Sequence, residues 1–137
     1  MDTNWRAVIT GFVVTVLIGS LGGIVIPVFG TIGGGLIGGF IAGYLAGGGA
    51  WNGGWNGTLS GALGGIVAAV LLSLLGALVG FIAGPVGSLL AGMSVFLIGT
   101  VVALLFAIPS GLAGALGGWL RDVERKSTVE PPQPSAR

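Results

Sequence analysis

The chain has 137 residues, of which 53% are hydrophobic and only 7% charged, with a net charge of +1 and neither cysteine nor histidine. Soluble domains are about one quarter charged, so this pool cannot cover a water-facing surface, and the mean hydropathy is +1.06. The missing Cys and His exclude disulfides, thiol chemistry and nearly all zinc, iron or haem sites, and the small net charge excludes a nucleic-acid partner.

No residue between Arg6 and Arg121 carries a formal charge. A bilayer lifts the need for surface charge, because lipid tails solvate apolar side chains directly. Barrel strands alternate apolar and polar positions, whereas this chain has long apolar runs such as 62–83. The reading is an all-α membrane protein, a compact bundle of four transmembrane helices.

In chain order, the first span runs from Trp5 to Ile26, long enough to cross and so retained rather than cleaved as a signal peptide. Pro27 and a PVFGT turn end it. The second span is 32–48, followed by the loop AWNGGWNG. The third covers 58–83 and closes with the turn GPVG. The fourth, 88–120, is too long for one straight crossing at about 1.5 Å per residue. Pro109 lies inside it and removes a backbone hydrogen bond. The fourth span is therefore kinked there, or it stops near Ala107 and residues 110–120 form an interfacial helix. Residues 1–126 make one transmembrane domain. The Pro-rich tail 127–137 is expected to be disordered and cytoplasmic, and before it Asp122 and Lys126 have the spacing of a helical ion pair.

Lys and Arg collect on cytoplasmic flanks. Arg6 flanks the first span and Arg121, Arg125 and Lys126 flank the last, so both termini are expected in the cytoplasm of a multi-pass cell-membrane protein. In that layout Trp5, Tyr44, Trp51, Trp55 and Trp119 all fall at the cytoplasmic interface, where amphipathic rings anchor.

Thirty residues are glycine, and they form ladders. Gly35, Gly39, Gly43 and Gly47 recur every four residues in the second span, beside the line Gly30, Gly34, Gly38, Ala42, Ala46. The third span has Gly57, Gly61 and Gly65, continued by Ala69, Ser73 and Ala77. The first offers Ala7, Gly11, Thr15, Gly19, Gly23, and the fourth Gly99, Ala103, Ala107, Gly111, Ala115. Lipid supplies no hydrophobic force between helices, so they associate where small residues let backbones approach. These ladders are read as glycine-zipper packing surfaces with right-handed crossings.

The spans hold no Asp, Glu, Lys, Arg or His, the usual marks of proton relays and ion coupling. The serines Ser20, Ser60, Ser73, Ser94 and Ser110 have no base to activate them, and their hydroxyls are expected to bond their own helix carbonyls. No catalytic, cofactor or metal residue is assigned. GTIGGGLIGG lacks the Lys of a phosphate-binding loop. The tandem Trp51-Asn52-Gly53-Gly54-Trp55-Asn56-Gly57 reads as an anchored turn, or else as a loop for a partner or headgroup. Asn56-Gly57-Thr58 matches a glycosylation acceptor but is expected to stay unused against the membrane.

Asn4-Trp5-Arg6-Ala7-Val8 with Gly11-Phe12-Val13-Val14, GLIGGFIAGYLAGG (35–48) and GALGGWLR (114–121) together resemble a family of small four-span haloarchaeal membrane proteins known as a domain of unknown function. The resemblance implies four helices in a haloarchaeal cell membrane and brings no site residues. The function expected is that of a non-enzymatic integral membrane protein, packed in the lipid bilayer on a second copy of itself or on a membrane partner. The alternative is an oligomeric channel or carrier for a neutral solute, with a polar track through Thr15, Ser73 and Thr100.

Overall fold

A computed structural model describes the backbone of residues 2–25 and 27–129 and the side chains of 2–21 and 32–128. The described residues are helical throughout apart from short connections. Helix α1 is Trp5–Val25, α2 Pro27–Ala46, α3 Gly49–Gly80 and α4 Gly84–Val129, with a single 3-10 turn, Phe81–Ala83, between α3 and α4.

Besides the GPVG turn, which is the helical start of α4 with the reversal falling on Phe81–Ala83 before it, three expected boundaries are corrected. The PVFGT turn is the first stretch of α2, which begins on Pro27. Proline suits that position because its missing N–H has no helical partner there and its φ is already helical. The AWNGGWNG loop is likewise helical, forming the opening turns of α3. Gly47, Gly48 and Gly49 take φ of 63°, 77° and 85°, a left-handed run that only glycine adopts cheaply. They complete the reversal before Trp51, so the Asn-Gly pairs are free to be helical.

The third correction concerns α4, which passes through Pro109 as one helix. Neighbouring helices hold it on both sides of the proline. Ala107 packs on Gly61, and the Ser110 hydroxyl donates to the carbonyls of Gly35 (3.0 Å) and Gly57 (2.9 Å). Packing of this kind offsets the bond that proline removes. At its far end α4 reaches Val129, past the expected tail start at 127. The hydroxyls of Ser127 and Thr128 donate to the Glu124 carbonyl and so satisfy the last turn. The expected disorder of 130–137 lies outside the described residues. Asp122 and Lys126 pair at 3.2 Å.

The helices alternate in direction. Helices α3 and α4 form an antiparallel hairpin whose contacts run from Gly53 beside Gly118, through Gly65 beside Ala103, to Gly80 beside Gly87. Helix α2 lies in the groove of that hairpin, with Gly39 on Ser110 and Gly43 on Gly114. Helix α1 packs outside α2 and touches α3 but, among the described residues, not α4.

The distribution of side chains is the reverse of a water-soluble core. Among the described residues, the buried hydrophobic ones are five alanines and Val8, and the largest fully buried side chains are Val8, Asn56, Ser60 and Ser110. Leu78, Val79, Phe81, Ile82 and Leu89 are all exposed. Water would penalise such a surface by about 25 cal/mol per Å² of apolar area, a cost that lipid does not impose.

Candidate functional site

Two polar constructions share the end of the bundle where both termini emerge. The first is built on the repeat WNGGWNG. Asn52 and Asn56 are four residues apart, hence on one face of α3, and that face receives the N-terminal segment. The Asp2 N–H donates to Asn52 Oδ1 (3.0 Å) and the Asn4 N–H to Asn56 Oδ1 (2.8 Å). Asn56 Nδ2 donates in return to the Asp2 carbonyl (3.2 Å) and to the Asn52 carbonyl (2.9 Å). Asn52 Nδ2 donates to the Gly47 carbonyl (3.1 Å), joining this cluster to the glycine turn. Asn4 caps α1 through its side-chain oxygen, which accepts from the Ala7 N–H (3.3 Å). Trp55 Nε1 donates to Thr3 Oγ1 (3.1 Å). With Asn56 fully buried, its amide is closed to a glycosylating enzyme in the folded chain. The i,i+4 spacing of the two asparagines is the sequence signal for this clamp; read as a turn, it has no shared face.

The second construction is a cleft between the C-terminal end of α2 and the last turns of α4. Tyr44, Leu45, Arg121, Glu124, Arg125 and Thr128 line a volume of about 500 Å³. Arg121 Nη1 donates to the carbonyls of Tyr44 (2.8 Å) and Leu45 (2.6 Å), which are orphan acceptors at the negative end of the α2 dipole. Its guanidinium carbon stands 5.8 Å from the centre of the Tyr44 ring. The Tyr44 hydroxyl donates to Glu124 Oε2 (2.7 Å), and Phe40 stacks on the Tyr44 ring. Gly47 stands beside Arg121, where a Cβ would meet Cδ at 3.4 Å, an ordinary contact, and it is the φ of 63° that calls for glycine there.

The aromatics expected at an interface gather around these two constructions. Trp5 follows the cap, Trp55 bonds Thr3, Trp51 lies one turn earlier on α3, Tyr44 lines the cleft, and Trp119 adjoins Gly118, which meets Gly49 and Gly53. Trp5, Trp51 and Trp119 are exposed.

The ladder glycines divide. Gly39, Gly57 and Gly114 meet where α2, α3 and α4 converge: a Cβ on Gly57 would lie 2.8 Å from Gly114 Cα and 3.0 Å from the Gly39 carbonyl oxygen. Gly43 faces the Gly114 backbone, Gly61 the Ser110 side chain (2.6 Å) and Gly65 the Ala103 backbone (2.8 Å). The two ends of the α2 ladder behave differently. A Cβ on Gly35 meets nothing within 4 Å, and Gly47 belongs to the turn rather than the helix. A strict four-residue step drifts by about 40° per step, enough to carry a ladder end off the contact. The parallel line is also engaged, with Gly34 on Gly19 and Thr15, and Gly38 on Gly11. Gly30 and Gly23 lie outside the described side chains.

The hydroxyls proposed for a polar track bond their own helices: Thr15 to Gly11, Ser73 to Val70 and Thr100 to Phe96. Of the serines expected to bond their own helix carbonyls, Ser20 and Ser73 do so, Ser110 is corrected to a bond across to α2 and α3, and Ser60 has no partner among the described residues. Ser60 is fully buried and faces Gly11, where a Cβ would lie 2.7 Å away. The Cα–H in that direction offers only a weak bond.

The helical stretch Gly49–Thr128 is long and apolar enough to cross a membrane, with mean hydropathy 2.7 in its most apolar window, and Trp5–Leu21 and Ile32–Ala46 are shorter apolar helices. No curated protein and no solved structure matches the chain. The model of the "Family of unknown function (DUF5518)" matches residues 5–120, which takes in the exposed apolar helices, Asn52 and Asn56, and the glycine contacts between α2, α3 and α4. The chain belongs to that family.

Proposed function

We propose that this is a non-enzymatic, multi-pass protein of a cell membrane, its four helices zippered by glycine and both termini cytoplasmic, which acts by assembling with a second copy or with a larger membrane protein. One observation carries the reading: Gly, Ala and Ser fill the interior while Leu, Ile, Val and Phe face outward. Close backbone approach replaces hydrophobic burial as the source of cohesion, as helices in lipid require. The gathering of charges and aromatic rings at one end supports a single anchored interface, and the resemblance to haloarchaeal membrane proteins supports an archaeal membrane as its location.

Assembly is supported by the glycines that the bundle leaves uncovered. Among the described residues, nothing lies within 4 Å of where a Cβ would sit on Gly33 or Gly35, so each leaves a notch that another helix backbone can enter. The test begins with alkaline carbonate extraction, which should leave the protein in the membrane pellet. Light scattering in a mild detergent should then give a particle of two or more copies, or one holding a stoichiometric partner identified by mass spectrometry. Gly35→Leu should reduce that particle to a single chain while its helix content and melting temperature stay close to wild type. A soluble protein after carbonate, or a wild-type particle of one bare chain, overturns the proposal.

A further inference from the structure

The cleft between α2 and α4 has the composition of an anion site at a membrane surface. Its two guanidinium groups, Arg121 and Arg125, lie one helical turn apart on α4. Arg121 is already positioned, because its two bonds to the Tyr44 and Leu45 carbonyls both use Nη1. A guanidinium has five N–H donors in a planar fork, so the other edge of that fork stays available. Arg125 makes no ion pair and no side-chain hydrogen bond among the described residues. The one carboxylate in the cleft, Glu124, accepts from the Tyr44 hydroxyl, and two cations against one anion leave the cleft net positive.

The walls differ in character. Leu45 is 39% exposed and continues the apolar surface of α2, while Thr128 and the arginines form the polar side. A ligand with an anionic head and an apolar continuation meets matching chemistry on both sides. The cleft also stands at the same end of the bundle as Trp51, Trp55 and Trp119, the level that amphipathic rings assign to headgroups.

We propose that this cleft binds a phosphate group through Arg121 and Arg125, as carried by a phospholipid headgroup or by a free phosphate. Arginine forks match phosphate oxygens in a bidentate way, and basic pockets on the cytoplasmic side of helix bundles bind headgroups by this chemistry. The lipid source rests on the membrane location proposed above; the phosphate chemistry does not.

The test uses the full chain purified in a neutral detergent and titrated with phosphatidylglycerol, with diacylglycerol (the same chains without phosphate) and with inorganic phosphate. Native mass spectrometry reads the bound species. Phosphatidylglycerol should bind and diacylglycerol should not. Arg125→Gln, which breaks no contact within the protein, should weaken binding about tenfold, the usual scale for a lost charged hydrogen bond. Lys126→Gln, paired with Asp122 outside the cleft, should leave it unchanged. Arg121→Gln should weaken it further, provided its melting curve shows the bundle intact. If millimolar inorganic phosphate binds alone and displaces the lipid, the source is a free phosphate; if it does not, the source is the headgroup. Equal binding of diacylglycerol, or an Arg125→Gln protein that binds like wild type, overturns the proposal. Carbonate extraction reports membrane insertion separately, so the two readings fail independently.

Discussion

The bundle has two halves with different means of cohesion. In the half that carries the termini, α2 lies in the α3–α4 groove and α1 covers α2. Backbones there approach through Gly11, Gly38, Gly39, Gly43, Gly57 and Gly114, and buried polar groups at Asn56 and Ser110 tie one helix to another. In the other half the α3–α4 hairpin continues to Gly84 on a narrower seam, in which Ala69 and Gly92 are buried and Leu74, Leu75, Leu78 and Val79 face outward. Small residues line both halves. What distinguishes the first is that three helices converge there, with Gly57 and Gly114 each meeting the backbone of two others, so a displaced helix loses contacts on more than one side. Two helices alone can part with little further loss.

The sharpest way to break this contrast is Gly43→Leu. A side chain there would enter the Gly114 backbone, and α2 cannot retreat without losing α1. We expect about 3 kcal/mol of destabilisation, at the upper end for overpacked cores, read as a lower melting temperature and yield in detergent. Gly39→Leu should behave alike, and Ile37→Leu, on an exposed position, should melt like wild type. Equal melting of Gly43→Leu and Ile37→Leu would mean that the α2–α4 contact contributes nothing.

Next in size is Asn56→Ala, which strands the Asn4 N–H and the Asp2 carbonyl. A loss of about 2 kcal/mol is expected for two lost hydrogen bonds at about 1 kcal/mol each, together with faster proteolysis of the first residues. Wild-type resistance to protease would show that the clamp does not hold the N-terminal segment.

Gly92→Leu probes the other half. Its Cβ would lie 3.0 Å from Ala77 Cβ and 3.2 Å from the Ser73 carbonyl oxygen, yet the two helices can splay there, so about 1 kcal/mol is expected. A loss as large as that of Gly43→Leu would erase the distinction between the halves.

The smallest effect has the opposite sign. Gly54 is helical and its nearest neighbour would be Ala115 Cβ at 3.4 Å, an ordinary contact. Gly54→Ala should therefore stabilise by about 0.5 kcal/mol through helix propensity. A destabilised Gly54→Ala protein would mean that even a glycine with only ordinary contacts is held tightly.

The helical class was legible in the sequence because it follows from inventory: an uncharged stretch from 7 to 120 with no strand alternation can satisfy its backbone only by helices in an apolar medium. The aromatic end was legible too, since four spans with both charged flanks on one side bring Tyr44, Trp51 and Trp55 to the side of Trp5 and Trp119. The cleft was only half visible. Arg121 and Arg125 read as flanking charges, and nothing in their spacing pointed to Tyr44, which lies 77 residues from Arg121 along the chain and supplies a carbonyl to it.

What the sequence determined by itself was periodicity, namely which small residues share a face of a helix. What that face meets was decided by the tertiary structure. Gly35 and Gly39 belong to one ladder, yet a Cβ on Gly39 would strike Ser110 while one on Gly35 meets nothing among the described residues, because the ladder winds and the neighbouring helix does not follow it. WNGGWNG became helix rather than turn because Gly47–Gly49 had already reversed the chain. Pro109 stayed inside α4 because α2 and α3 grip the helix on both sides of it. Local propensities for turn and break are worth about 1–3 kcal/mol each, and contacts spread over two neighbouring helices exceed that.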